Sequence, residues 1–279
     1  MYYLWSLLLF SNTLQFTWGW GDIGHRTVAY LAEKYLDKQG EQLVNDLITP
    51  DNEFDISDAA VWADRQKFRS PFTRPWHYLD GKTHQVQDTS LEKAQRGDAL
   101  KFLMHFIGDL HQPLHVEAKL RGGNELHVCF DNHCAKTMNL HSVWDTEIPH
   151  KINGLKQKPK HNDEKEPAVK WAAKLFQSQG LRPLQAECSD TKKPSKCPMI
   201  WATETNRLNC DFVFKKGIEW LENNNLGGEY YDEAAPVVEA QILKAGIRLA
   251  GWLNALAADR PSWEHCNRQY GKMRIQKEL

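Results

Sequence analysis

The chain of 279 residues is 41% hydrophobic and 25% charged, and its 35 Lys and Arg against 36 Asp and Glu give a formal net charge of −1 at pH 7. This balance excludes an intrinsically disordered chain and a polybasic nucleic-acid arm, while 17 Gly and 12 Pro without a glycine period exclude collagen-like and low-complexity classes. What remains is a globular protein in which no linker divides the chain. The 11 Trp and 12 His are unusual, and because histidine is costly to bury unless its nitrogens are used, function is sought there first.

Residues 1–19 carry no Lys, Arg, Asp or Glu and include the apolar run Leu4, Trp5, Leu7, Leu8, Leu9 and Phe10. This reads as a secretory signal peptide, too short in its apolar core for a membrane span. Gly19, with Thr17 two positions earlier, suits cleavage after residue 19, so the mature protein is expected to be secreted and to form one domain over residues 20–279. No other stretch is long and apolar enough to cross a membrane. Six cysteines, Cys129, Cys134, Cys188, Cys197, Cys210 and Cys266, predict three disulfides in a secreted chain. Cys129 with Cys134 suits a hairpin tip, and the other pairings stay open. No Asn-x-Ser/Thr sequon occurs.

Along the mature chain, apolar residues recur at helical spacing. The first set is Val28, Leu31 and Tyr35; the next, on a helix from Asp98 to His111, is Leu100, Leu103, Ile107 and Leu110, to which Phe102 and Phe106 add a second strip. A helix apolar on two sides belongs in the middle of a bundle. Residues 125–130 and 136–140 alternate as one hairpin. Residues 154–168 and 182–198 are rich in Lys, Pro, Asp and Glu without periodicity and read as solvent loops. The last helix, with Val238, Ile242, Ala245, Leu249, Trp252 and Leu256, is expected to open at Pro236. The fold class is thus mostly α, a single helical domain with one small β-hairpin.

His105 and Asp109 lie four apart on one face of the central helix and are buried together. Isolated, such a pair reads as a buried ion pair, but other residues of the same kind surround it. Gln112-Pro113-Leu114-His115 ends the helix with another histidine, and His141 and Asp145 repeat the spacing. Upstream, Asp64 sits on the helical stretch Val61-Trp62-Ala63-Asp64, His77 on Trp76-His77-Tyr78-Leu79-Asp80, and His25 close to Trp20. Imidazole and carboxylate without thiolate suit Zn²⁺ in a hydrolytic site. The remaining histidines, His84, His111, His127, His133, His150, His161 and His265, read as surface or hydrogen-bonded residues.

These motifs, together with Trp20-Gly21-Asp22-Ile23-Gly24-His25, Gly122-Gly123-Asn124 and Tyr230-Tyr231, resemble in order those of the S1/P1 nuclease family over essentially the whole mature chain. The resemblance implies a helical zinc-hydrolase fold, of the type shared with zinc phospholipase C, that holds three Zn²⁺ per chain. It assigns Asp64, His77, His105 and Asp109 to the first zinc, His115, His141 and Asp145 to the second, and Asp109, His25 and the backbone of Trp20 to the third. A free α-amino nitrogen and the carbonyl of the same residue can close a chelate ring, which ties the third site to removal of the signal peptide. Asp64 is the expected base and Lys67 the cation that faces the phosphate.

Tyr78 matches an aromatic position that stacks a base, Asp80, Gly122 and Asn124 form the pocket's polar edge, and Arg121 stands opposite. The expected substrates are single-stranded DNA, RNA and 3′-mononucleotides, cut to leave 5′-phosphates, by a protein acting as a monomer. A zinc phospholipase C is the alternative reading, and a secreted zinc-binding protein without activity a more distant one.

Overall fold

The computed structural model describes residues 20–48, 55–69, 86–88, 90–155, 161–179 and 188–259. Helices dominate: α1 is Asp22–Glu33, α2 Lys38–Leu47, α3 Ile56–Arg69 and α4 Lys93–Asp109, followed by a 3-10 turn, Pro113–Val116. A composite helix, α5, runs through Leu140–Ser142, a π-turn at Val143–Glu147, and Ile148–Ile152. Then come α6 (Lys165–Ser178), α7 (Lys196–Leu208), the short α8 (Ile218–Asn223) and the long α9 (Glu229–Ala258). Among the described residues no helix is long and apolar enough to cross a membrane.

The apolar spacing explains the packing. Val28 and Leu31 of α1 and the stripe Val238, Ile242, Ala245, Leu249, Trp252 and Leu256 of α9 are all buried in one core, where α1 lies against α9, α6 and α3. The two strips of α4 separate as the sequence predicts. Leu100, Leu103, Ile107 and Leu110 join the main core, whereas Phe102 and Phe106 pack with Ala63 in a second cluster against Trp62 of α3. That places α4 between α3 and the body of the protein, with His105 and Asp109 inside.

Several boundaries differ from expectation. α4 begins at Lys93, a turn and a half before Asp98, because the Gln95 side chain accepts the Glu92 amide and closes the helix start there. α9 begins at Glu229, so Pro236 lies inside it and not in its first turn. Residues 161–168, expected as loop, form a 3-10 turn, His161–Glu164, and the start of α6; Glu164 is buried there because it meets His150 at 3.1 Å. Lys196 and Cys197 likewise open α7, and Cys197 is held to Cys188 by a disulfide. The segment of residues 126–140 folds back as predicted, but through isolated bridges, His127 to Asn139 and Phe130 to His133, and not through two paired strands. Asp131 and Asn132 both adopt positive φ at its tip, and the predicted Cys129–Cys134 disulfide closes it. Cys210 is exposed, and Cys266 lies outside the described residues, as do residues 1–19.

His111 follows α4 and is fully buried, with Nδ1 donating to the Ile107 carbonyl at 2.6 Å and Nε2 accepting from Arg248 of α9 at 2.9 Å. Gln241, also on α9, donates to the His111 carbonyl at 2.9 Å. Burial first, and the Arg248 guanidinium second, push the His111 pKa down from the ordinary 6.5 to about 3. The unfolded chain therefore binds a proton that the native state refuses, and stability rises with pH across this window. It is fully present above pH 6.5 and is lost as pH falls towards 3, at up to about 1.4 kcal/mol per pH unit. Urea unfolding at stepped pH should show His111→Gln losing stability less steeply than wild type between about pH 6.5 and 4; parallel curves would contradict the assignment.

Candidate metal centre

The site is built where α1, α3, α4, the 3-10 turn and α5 meet. α4 contributes His105 and Asp109 from one face, four residues apart. His25 comes from the second turn of α1, Asp64 from α3, His115 from the 3-10 turn, and His141 and Asp145 from α5. All seven are buried.

In the first group, Asp109 divides its two oxygens, with Oδ1 at 3.3 Å from His25 Nε2 and Oδ2 at 3.4 Å from His105 Nε2. The two imidazoles stack with centroids 3.9 Å apart, and Asp64 Oδ1 stands 3.7 Å from His105 Nε2. His105 Nδ1 faces the Ala60 carbonyl at 2.7 Å, which fixes the proton on Nδ1 and turns the Nε2 lone pair inward. Gly108 lets the stack form: a Cβ there would lie 2.7 Å from His25 Nδ1.

The second group is tighter. His141 Nε2 lies 3.0 Å from Asp145 Oδ2 and 3.1 Å from His115 Nε2, and His115 Nε2 is 3.8 Å from Asp145 Oδ1. His141 Nδ1 is held by the Gly122 carbonyl at 2.6 Å. Gly122 reaches that position with φ +62°, and a Cβ there would meet the Leu114 carbonyl at 2.4 Å, so only glycine fits. The π-turn between His141 and Asp145 is anchored through Trp144, whose Nε1 donates to Tyr230 Oη at 3.0 Å. Asp109 also joins the groups, with Oδ1 at 3.7 Å from His115 Nδ1.

The donor set fits a divalent cation. With Nδ1 of His141 committed to a carbonyl, its Nε2 lone pair confronts His115 Nε2 at 3.1 Å, a contact that needs a shared proton or a cation. Both nitrogens of buried His25 lack a hydrogen-bond partner among the described residues. Two sets, His25 with His105 and Asp109, and His115 with His141 and Asp145, each bring three ligand atoms within 4.8 Å of one another. Nitrogen and carboxylate oxygen without thiolate are the ligands of hydrolytic zinc. Buried Trp20 lies beside the second set, since the amide of Gly21 donates to the Asp145 carbonyl at 2.8 Å.

The family model for S1/P1 Nuclease matches residues 20–88 and 79–258. The chain belongs to the S1/P1 nuclease family. It is 32% identical over 280 residues to Nuclease S1 of Aspergillus oryzae, with 89% of this chain and 95% of that protein covered. It is 31% identical over 273 residues to Nuclease P1 of Penicillium citrinum, covering 85% and 97%, and 29% identical over 273 residues to Endonuclease 2 of Arabidopsis thaliana, covering 85% and 90%. The S1/P1 match starts at Trp20 and runs through both ligand groups into α9.

Of the residues singled out from the sequence, His25, Asp64, His105, Asp109, His115, His141 and Asp145 converge, and Trp20 is buried next to Gly21, whose amide binds the Asp145 carbonyl. His77, Tyr78 and Asp80 lie outside the described residues, as does the side chain of Lys67. Arg121 is exposed and stands 3.8 Å from Glu125, while buried Asn124 donates to the Arg121 carbonyl at 2.8 Å. Sequence reasoning missed the carbonyl of Ala60 and the empty side chain of Gly108; a glycine at the fourth position of His105-Phe106-Ile107-Gly108-Asp109 was the available signal, since it costs a helix about 1 kcal/mol against Ala. Gly108→Ala should keep the helix and displace His25, lowering activity on single-stranded DNA by about 10- to 100-fold with reduced bound metal. Undiminished activity and metal content in that variant would show that the His25 stack is not needed.

Proposed function

We propose that the protein is a secreted zinc-dependent nuclease that cuts single-stranded DNA and RNA to 5′-phosphate products and removes phosphate from 3′-mononucleotides. The observation that carries this reading is Asp109, a buried carboxylate whose Oδ1 faces His25 and whose Oδ2 faces His105, so that each oxygen serves a different imidazole. The kinship with Nuclease S1, Nuclease P1 and Endonuclease 2 supports nucleic acid as the substrate. Three Zn²⁺ are assigned: one to Asp64, His77, His105 and Asp109, one to His115, His141 and Asp145, and one to Asp109, His25 and the backbone of Trp20. Bound zinc supplies a Lewis acid that lowers the pKa of water from about 15.7 towards 7 and neutralises charge on a phosphate.

The residues of the chain do the rest. Asp64 accepts the proton of the attacking water, and the Lys67 ammonium faces the phosphate as charge builds on its oxygens. Attack on phosphorus breaks P–O3′, leaving a 5′-phosphate on one fragment and a 3′-hydroxyl on the other. On a 3′-mononucleotide the same bond breaks and inorganic phosphate leaves, so one site serves both reactions. Tyr78 stacks the base, worth roughly 1 to 3 kcal/mol, with Asp80, Gly122 and Asn124 at its edge and Arg121 opposite. A base splayed onto a ring must be unpaired, which favours single strands. Secretion is supported by the charge-free residues 1–19, by the Cys129–Cys134 and Cys188–Cys197 disulfides, and by a family match that starts at Trp20.

The test is the mature protein beginning at Trp20, given single-stranded DNA, duplex DNA, RNA, 3′-AMP and phosphatidylcholine in parallel. Single strands, RNA and 3′-AMP should turn over, with 5′-phosphate ends on the oligonucleotide products, and duplex DNA should lag by at least about tenfold because each base must first leave its stack. Turnover of phosphatidylcholine alone would transfer the site to the phospholipase reading.

A further inference from the structure

Gln112 sits in the turn between α4 and the 3-10 turn, fully buried, and none of the roles above uses its side chain. It is nevertheless tied to three proposed ligands. Its backbone amide donates to the Asp109 carbonyl at 3.0 Å, and its own carbonyl accepts from the His115 amide at 3.0 Å. The side-chain amide is divided as well. Oε1 accepts from the Leu114 amide at 2.6 Å and so fixes the start of the turn that carries His115, while Nε2 donates to Asp145 Oδ1.

Asp145 therefore has one oxygen, Oδ2, facing His141 at 3.0 Å and the other held by Gln112. A carboxylate that ligates a cation through one oxygen needs a donor on the other, or the ligand rotates. A neutral amide meets that need without putting a second positive charge beside the cation, which Lys or Arg in this position would do. Its acceptor end at the same time holds the turn that presents His115, so one side chain sets the spacing between two ligands of the second group.

We infer that Gln112 is the positioning residue of the second metal site, fixing Asp145 and the His115 turn so that the zinc proposed between them is retained at working concentrations. The inference rests on the zinc-nuclease reading. It predicts that loss of the Gln112 amide costs one metal and lowers turnover without touching substrate affinity.

The experiment compares wild type, Gln112→Met and Gln112→Glu as zinc-loaded mature proteins dialysed against a graded chelator. Met keeps the length and removes both hydrogen bonds; Glu keeps the acceptor for Leu114 and removes the donor to Asp145. Both variants should lose one zinc per chain at a chelator strength that leaves wild type intact, corresponding to a 10- to 100-fold weaker site. kcat on 3′-AMP should fall by a similar factor with KM within about twofold, and added Zn²⁺ should restore it, which a merely structural role could not produce. If Gln112→Met does not fold, Gln112→Glu decides. Wild-type zinc retention and kcat in the folded variants, or a loss of activity that excess zinc does not reverse, overturns the inference while leaving the nuclease reading standing. A wild type that holds no zinc instead removes that reading itself.

Discussion

Three aspartates, Asp64, Asp109 and Asp145, are each no more than 2% exposed and face four buried imidazoles at the crossing of the helices. Charges cannot be held in that environment unless they are paired, hydrogen-bonded or bound to a metal. The arrangement of the rest follows from it. α4 must be apolar on two sides to carry His105 and Asp109 through the middle of the protein, and α3 must cross it at Ala63, Phe102 and Phe106 to bring Asp64 within reach of His105. Each group of ligands is backed by main-chain carbonyls, from Ala60 on His105 and from Gly122 on His141, which set the tautomers before any metal arrives. The centre is thus an organised cavity of the fold and not a surface cluster of acids.

The segment at Trp20, the proposed start of the mature chain, is part of the same arrangement. Trp20 is buried, its Cβ lies in a space that Gly24 leaves open, and the neighbouring Gly21 amide binds the Asp145 carbonyl. α1 then delivers His25 one turn later. In the proposed centre this makes Trp20 and Gly21 a structural partner of α5 as well as the source of a ligand, so that removal of the proposed leader and completion of the site would be one event. The opposite wall is set by α9, whose Gln241 and Arg248 grip the carbonyl and ring of His111, while the adjacent Gln112 reaches the metal side. A single turn of chain, residues 110–112, thereby couples the core helix to the ligands.

Much of this was legible in the sequence for reasons of periodicity. The helical spacing of Leu100 to Leu110 and of Val238 to Leu256 is set by which faces are buried, and the His105 and Asp109 register follows from it. Boundaries were less legible because they depend on local bonds: Gln95 closing the start of α4, or α9 accepting Pro236 in its interior. The polar run of residues 161–168 looked like solvent loop because its composition is charged, yet Glu164 is buried against His150, a partner 14 residues away. Gly108 and Gln112 could be seen as letters in a motif, but their roles are distances to His25 and Asp145 across the fold, and no local pattern encodes those.

The central claim is that Asp109 is shared between metals inside this cavity. Its most direct test is anomalous diffraction above and below the zinc absorption edge from crystals of the mature protein. The account predicts three zinc peaks, two of them on opposite oxygens of Asp109 and the third among His115, His141 and Asp145. An Asp109 carboxylate hydrogen-bonded to protonated His25 and His105, with no anomalous peak beside it, would contradict the claim.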